Sequence, residues 1–337
     1  MAATINDVAK RAGVSPMSVS RVINHKAGVS ETKRARIELA LKELDYKPNR
    51  TTKHTPEQRS RLIGLIVPDI ANPFFAPLVQ RAEKTAAKSG FRVLICNSES
   101  DLRYERDYIH DLVAHNVEGL IVAPVSDYSR PHLKWLHDRG FPLVLLDREV
   151  ARFESDTVTL ENRRSAVTIT NHLIGIGHKK VCLVADSSDV STGRERTAGF
   201  LEAMKAADMT ADGSVVVTTP DIVGGHRAAQ QIFDMSERPE AILAVNNMAA
   251  LGLIEAFRDS EVTIPDDIAL ACFDDIQHLA VIAPFLTVIE QPTETMATVA
   301  AEMLIEKIRG DASREFRRAR FPGRLIIRKS CGGVSQK

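Results

Sequence analysis

Apolar positions recur at helical spacing along the first fifty residues, and the polar residues between them read as helix punctuation. Thr4 followed three residues later by Asp7 forms a capping box, which predicts a helix opening at Ile5 and running through Val8, Ala9 and Ala12. Gly13 ends it, since glycine readily takes the left-handed conformation that releases a chain from a helix. Ser15 then recaps with Pro16 as first helical residue, where a missing N–H costs nothing. Two short helices therefore meet at a corner made of Gly13, Val14 and Ser15. Ile5, Val8, Ala9, Val14, Val19, Val22 and Ile23 face one another, while Pro16, Met17, Ser18, Ser20 and Arg21 are left outside. Ser30 is expected to cap a third helix, Glu31 to Leu44, whose Ile37, Leu41 and Leu44 close a small core. The pattern is a helix-turn-helix.

From Leu62 the pattern changes. Short apolar runs at 62–67, 91–96, 118–123 and 142–147, then at 180–185, 214–218, 241–245 and 268–273, alternate with amphipathic stretches such as 74–89, 102–115, 194–208 and 247–260. Continuously apolar strands separated by helices imply parallel sheets covered on both faces. Eight such units exceed one comfortable sheet, so two α/β lobes of about four strands each are expected. Ligands of open parallel sheets lie beyond the carboxyl ends of the strands, here in the cleft between lobes. Residues 50–61 are polar and basic with no apolar stripe and read as a linker.

Composition sharpens this division. A chain of 337 residues suits a small domain plus a large one, and its net charge of zero hides an asymmetry. Residues 1–61 carry thirteen Lys/Arg against six Asp/Glu, a net +7, which leaves −7 on the remainder. A basic head on an acidic body suits a nucleic-acid binder with a separate regulatory part, because phosphate neutralisation supplies most sequence-independent affinity. Cys96, Cys182, Cys272 and Cys331 stand singly in or near apolar runs, without metal-ligand spacing, and read as reduced core residues. No apolar signal-peptide core and no run of eighteen apolar residues is found, so a cytoplasmic protein without membrane association is expected. Enzyme motifs are missing. Gly175 and Gly177 follow a helix and precede a strand, the reverse of a dinucleotide turn, and there is no phosphate loop, nucleophile elbow or HExxH pair. No enzyme activity, metal or cofactor is expected.

A helix-turn-helix offers the start of its second helix to the major groove of double-stranded DNA. Arg21 can give paired donors to guanine, Pro16 and Met17 can press on a thymine methyl, and Ser15, Ser18 and Ser20 can reach phosphates or bases. Asn24, Ser30, Arg50 and Lys53 complete the candidate DNA-binding set.

The stretch Thr4 to Ser15, then Val19-Ser20-Arg21-Val22-Ile23-Asn24, Val29-Ser30 and Tyr46-Lys47-Pro48-Asn49, closely resembles the N-terminal signature of the lactose-repressor (LacI/GalR) family of bacterial transcription regulators. The resemblance continues to about residue 330 through Ile63-Gly64-Leu65-Ile66-Val67-Pro68, Asn72-Pro73-Phe74-Phe75, Gly177-His178, Arg196 to Phe200, Asn246, Ile264 to Ile268 and Phe273-Asp274-Asp275. It implies a helix-turn-helix head (1–49), a hinge (50–61) and a two-lobed body (62–330) similar to periplasmic binding proteins. Lobe 1 would hold 62–160 and 292–319, and lobe 2 would hold 161–291 and 320–330. It also implies a homodimer on a near-palindromic operator, controlled by a small-molecule effector such as a sugar or related metabolite. Thr55 stands where the family's hinge leucine wedges into the minor groove, and a threonine wedges poorly.

The candidate effector residues follow strand ends. Asn72, Phe74 and Phe75 follow the first, and one of the two phenylalanines is expected in the pocket; the alternative is that Asn-Pro caps a helix and the rings fill core. Asp147 and Arg148 follow the fourth and could instead pair with each other. Thr192 and Arg196 follow the strand at 180–185, and the resemblance implies that Arg196 is the effector-binding arginine. Asn246 and Asp274 match family ligand positions, with helix capping as the alternative for each. Two departures accompany them: Asn247 replaces a frequent Asp, and Pro220 to Gly225 lacks the aromatic that many members stack on a ring. The rival reading, a solute receptor of the periplasmic type, needs an export signal where this chain has a DNA-binding head.

Overall fold

The computed structural model describes residues 5–23, 28–44, 60–210, 213–276, 285–310 and 315–332. The chain forms two compact units, residues 1–59 and 60–337. In the first, helix α1 (Ile5–Ala12) turns into α2 (Pro16–Ile23), and α3 (Glu31–Glu43) packs across both. Gly13, at φ +62, lets the Val14 amide donate back to the Ala9 carbonyl at 3.0 Å. A Cβ there would also stand 2.5 Å from Nη2 of Arg36, which holds the Ala12 carbonyl and would have to swing aside, so it is the positive φ that favours glycine at the corner. The Ser15 hydroxyl accepts from the Ser18 amide at 3.3 Å, as a cap should. Val8, Ala9, Ala12, Val19, Val22, Ile37 and Ala40 are buried together, with Val14, Ile23, Val29, Leu41 and Leu44 partly buried around them.

One expectation fails here. Ser30 occupies the N-cap of α3, but its side chain makes no capping bond, and only its carbonyl receives the Lys33 and Arg34 amides. The residue is exposed, so water can serve the free helix donors. Thr4, Asn24, Arg50, Lys53, Thr55 and the rest of the expected hinge through residue 59 lie outside the described residues.

The second unit contains two sheets, each six-stranded among the described residues. The first runs β11-β5-β4-β3-β1-β2, with β1 (Leu62–Val67), β2 (Arg92–Asn97), β3 (Leu120–Val122), β4 (Leu143–Leu146), β5 (Asp156–Leu160) and β11 (Arg318–Phe321) all parallel. Helices α4 (Phe75–Lys88) and α11 (Thr293–Arg309) cover one face; α5 (Leu102–Ala114) and α6 (Arg130–His137) cover the other. The second runs β12-β10-β9-β8-β6-β7, with β6 (Val181–Ala185), β7 (Val215–Val217), β8 (Ala241–Ala244), β9 (Ala269–Phe273) and β10 (Thr287–Glu290) parallel, and β12 (Arg324–Ile326) antiparallel on the edge. Helices α7 (Asn162–Ile176) and α8 (Ser191–Ala206) cover one face, and α9 (Ile222–Phe233) and α10 (Asn247–Asp259) the other. Neighbouring residues of β6 go to different cores, Leu183 to one and Val184 to the other, which is why the strand reads as an unbroken apolar run.

Each sheet thus has six strands where about four were expected. The additional ones are β5, β10, β11 and β12, in which Thr, Glu or Arg interrupts the apolar pattern. The chain passes between sheets after Leu160, after Glu290 and after Phe321. The last passage lies later than residue 320, because Arg320 and Phe321 still pair with Thr159 and Leu160. Helix α8 begins at Ser191 rather than near 194, which puts Thr192 in its first turn. No helix among the described residues is long and apolar enough to cross a membrane.

Helices α9 and α10 approach through glycines: a Cβ at Gly252 would stand 2.1 Å from the Ile222 carbonyl oxygen and 2.9 Å from Gly225 Cα. These obstacles are backbone atoms, so Gly252→Ala should destabilise the body by about 1–3 kcal/mol, after the modest helix-propensity gain. A urea midpoint equal to that of the parent protein would show that the two helices do not touch there.

Candidate functional site

Two surfaces carry the candidate chemistry. On the first unit, α2 presents Pro16, Met17 and Arg21 to solvent, with Ser18 and Ser20 half-buried beside them. Met17 is 67% exposed and lies outside the small core of its unit. The buried Val19 and Val22 fix which face of α2 is left outward, so core packing selects the residues offered to a partner.

The second surface is a cleft at the carboxyl ends of both sheets. It is lined by Asn72, Phe74, Phe75, Asp147, Arg148, Thr192, Arg196, Asn246 and Asp274, so the structure brings all nine of the expected cleft residues to one place. Asp186, Pro220 and Val245 also line it and were not anticipated. The cleft encloses about 360 Å³ including its open mouth, near the small end of ligand sites.

Local geometry explains how each side chain arrives there. The Asn72 side-chain oxygen accepts from the Phe74 amide at 3.0 Å, and its carbonyl from the Phe75 amide at 3.0 Å. That tight turn brings both rings to the wall, where one was expected, and both also belong to the buried core of the first lobe, as the alternative had it; they meet edge to face at 4.9 Å. Asp147 and Asp274 occupy equivalent positions in the two lobes. Each follows the last residue or so of a strand, sits at positive φ (69° and 70°) and donates its amide to the neighbouring strand, at Val158 and Ile289. Aspartate tolerates this left-handed turn better than most residues, and the turn aims each carboxylate into the cleft.

Arg196 rises from α8 and is only 4% exposed. Its Nε donates to the Asn162 side-chain oxygen at 2.8 Å, and Nη1 donates to the Val245 carbonyl at 2.6 Å and faces Asp274 Oδ2 at 3.8 Å. The guanidinium lies 4.0 Å over the Phe273 ring. Arg148 donates to the carbonyls of Pro124 and Val125 at 3.1 and 3.2 Å and faces Asp147 at 3.5 Å, so the expected alternative pairing is present alongside exposure to the cleft. The Asn246 side chain caps α10 by accepting from the Ala249 amide at 2.8 Å, and its amide group donates to the Pro220 carbonyl. Capping and cleft lining therefore coexist in one residue. Asp274 accepts from Gln291 at 2.6 Å, while its neighbour Asp275 turns away to Arg328, also at 2.6 Å. Asn247 is wholly buried and is not part of the lining; neither polar atom of its side chain has a hydrogen-bond partner among the described residues.

One rim of the cleft is tied across the lobes. The Asp127 carboxylate accepts from Arg194 at 2.8 Å, its amide donates to the Asp189 carbonyl at 2.9 Å, and the Glu149 amide donates to the Ser191 hydroxyl at 2.9 Å.

Burial dominates the electrostatics. It pushes the Asp274 carboxyl up to about 6 against the pull of Arg196 and the Gln291 hydrogen bond, and it raises Asp147 and Asp186 in the same sense. The folded protein then holds a proton on Asp274 in a range where the unfolded chain has released it. Stability of the ligand-free body should therefore fall as pH rises from about 4 to 6, by on the order of 2–3 kcal/mol, and level off above that. The Asp274→Asn variant should show a shallower fall in urea-midpoint profiles, the remainder belonging to Asp147 and Asp186; superimposable slopes would contradict the assignment.

Comparison with known proteins agrees with this geometry. Residues 4–49 match the family model described as "Bacterial regulatory proteins, lacI family", and residues 170–331 match that described as "Periplasmic binding protein-like domain". The chain is 32% identical over 330 residues to the HTH-type transcriptional repressor PurR of Photobacterium profundum, covering 97% of this chain and 98% of that one. Among solved structures it is similar to the transcriptional regulator CelR in complex with cellobiose (TM-score 0.74, 28% identity, covering 97% of this chain and 99% of that one). It is also similar to the lac repressor dimer bound to operator and the anti-inducer ONPF (TM-score 0.71, 25% identity, covering 98% and 99%). The chain belongs to the lacI family of bacterial regulatory proteins and is a DNA-binding transcription regulator, not an enzyme.

Proposed function

We propose that this regulator is a cytoplasmic repressor that binds a near-palindromic operator as a homodimer and is controlled by a small-molecule effector held in the cleft. The observation that carries this reading is the convergence of side chains from both lobes on one cleft, in a chain whose other unit turns Pro16, Met17 and Arg21 of one helix to solvent. The bound ligands named for CelR and the lac repressor dimer support the same assignment here.

In the dimer, the two α2 helices enter successive major grooves. Arg21 reads guanine, Pro16 and Met17 touch thymine methyls, and Ser15, Ser18, Ser20 and Ser30 fix the helix on the backbone, with Asn24, Arg50 and Lys53 extending the contact. In the cleft, Phe74 and Phe75 offer an apolar wall to a ring, while Asn72, Asp147, Arg148, Thr192, Arg196, Asn246 and Asp274 supply donors and acceptors around it. An effector that binds one lobe arrangement better than another shifts the balance by that difference and so changes the spacing of the two heads. The Asp127 and Glu149 ties are the contacts such a change must break or keep.

The test has two arms. Genomic fragments selected by the protein should be bound more tightly than random duplex, and Arg21→Ala should lose about 1–3 kcal/mol of that specific binding while non-specific binding falls less. Equal losses on both kinds of DNA would remove Arg21 from base readout. Arg196→Lys should leave DNA binding intact in fluorescence anisotropy and weaken the response to the effector by about tenfold or more, since an ammonium cannot replace a planar fork stacked on Phe273.

A further inference from the structure

Asp186 is the cleft residue whose partners least explain it. It follows β6 directly, is 9% exposed and lines the cleft. One oxygen, Oδ1, accepts from the Ser187 amide at 2.7 Å, which holds the side chain in place. The first turn of α8 is shaped around it: a Cβ at Gly193 would stand 2.9 Å from Asp186 Cβ and 3.0 Å from the Ser187 carbonyl oxygen. The other two carboxylates of the cleft each have a cation at hand, Asp147 facing Arg148 at 3.5 Å and Asp274 facing Arg196 at 3.8 Å. Among the described residues no cation comes within ion-pairing distance of Asp186, on which Arg148 and Arg196 act only from farther off.

The balance of charges points the same way. Three carboxylates line the cleft against two guanidiniums, with no Lys or His. Both guanidiniums already give protons to protein acceptors: Arg196 to Asn162 and Val245, Arg148 to Pro124 and Val125. An anionic ligand would bring further negative charge into a desolvated site whose carboxylates already outnumber its guanidiniums, whereas a hydroxyl would supply the donor that the second Asp186 oxygen lacks.

We infer that Asp186 sets the charge selectivity of the cleft: its free oxygen takes a hydrogen bond from a hydroxyl of a neutral, polyhydroxylated ligand and turns away ligands that carry a carboxylate or phosphate. This rests on the reading of the cleft as the effector site and narrows its ligand class.

Calorimetric titration of the full-length protein with matched sugars tests it. The pairs are D-ribose against D-ribose 5-phosphate, and D-glucose against D-glucose 6-phosphate and D-gluconate. In at least one pair the neutral sugar should bind about tenfold more tightly or better than its charged counterpart, and Asp186→Asn should weaken the neutral sugar by about tenfold and narrow that ratio. The substitution keeps the shape of the side chain and its bond to the Ser187 amide, and the ligand-free thermal midpoint should stay level or rise, since a buried charge is removed. A merely structural role for Asp186 would lower that midpoint and leave the ratio unchanged, which would overturn the inference. So would a charged sugar that binds as tightly as its neutral partner. Heat from none of these sugars would overturn the ligand class assigned here, while release of operator DNA by some other metabolite would leave the effector reading standing.

Discussion

A guanidinium removed from water must be given acceptors, and the arrangement of the cleft follows from where Arg196 finds them. It takes one from α7 through Asn162, one from the end of β8 through Val245, and a carboxylate and an aromatic face from the end of β9 through Asp274 and Phe273. Four segments distant in sequence are thereby held to one point, and burial lowers the arginine's own pKa while raising that of the aspartate facing it. Removing either partner strands a charge in a dry place, so the pair is costly to break whatever its net contribution. Because Nε and Nη1 are bonded to protein acceptors and the plane lies on Phe273, Arg196 faces the cleft as a fixed, oriented plate and not as a flexible hook.

The two lobes solve the same placement problem twice. In each, a strand ends in an aspartate turned left-handed, with its amide tied to the adjacent strand and its carboxylate aimed across the cleft. The lobes then differ in what surrounds that aspartate. The first contributes the Phe74 and Phe75 wall, and the second contributes Arg196, Asn246 and Asp186. Both sheets thus give the cleft polar side chains, and the aromatic part of its wall comes from the first lobe alone.

Much of this is legible in the sequence. The helix-turn-helix was visible because a capped, glycine-stopped corner and its apolar positions lie within forty residues. The central strands were visible because both faces are buried and every position is apolar. What escaped notice depends on distant pairing. In β5, Thr157 and Thr159 are buried, and β11 and β12 place arginines on sheet edges, so none reads as a continuous apolar run. Asp186 was overlooked because Asp-Ser-Ser after a strand looks like ordinary turn chemistry; its position directly after β6, as with Asp147 and Asp274 near their strand ends, was the available signal. Pro220 and Val245 line the cleft with no polar side chain to mark them, and the failure of Ser30 to cap α3 turns on a side-chain rotation that sequence does not specify.

The three passages of chain between the sheets also bear on how the protein is made. Helix α11, which closes the core of the first lobe, and the edge strands β11 and β12 all come from residues 293–326, after every other strand of both sheets. Neither lobe can be completed until that stretch has been translated, whereas the residues of the helix-turn-helix unit all precede both lobes in the chain. A nascent chain that stalls late would therefore carry a finished DNA-binding head on an unfinished sensor, and loss of even a dozen residues ahead of Gly332 would strip an edge strand from the second sheet.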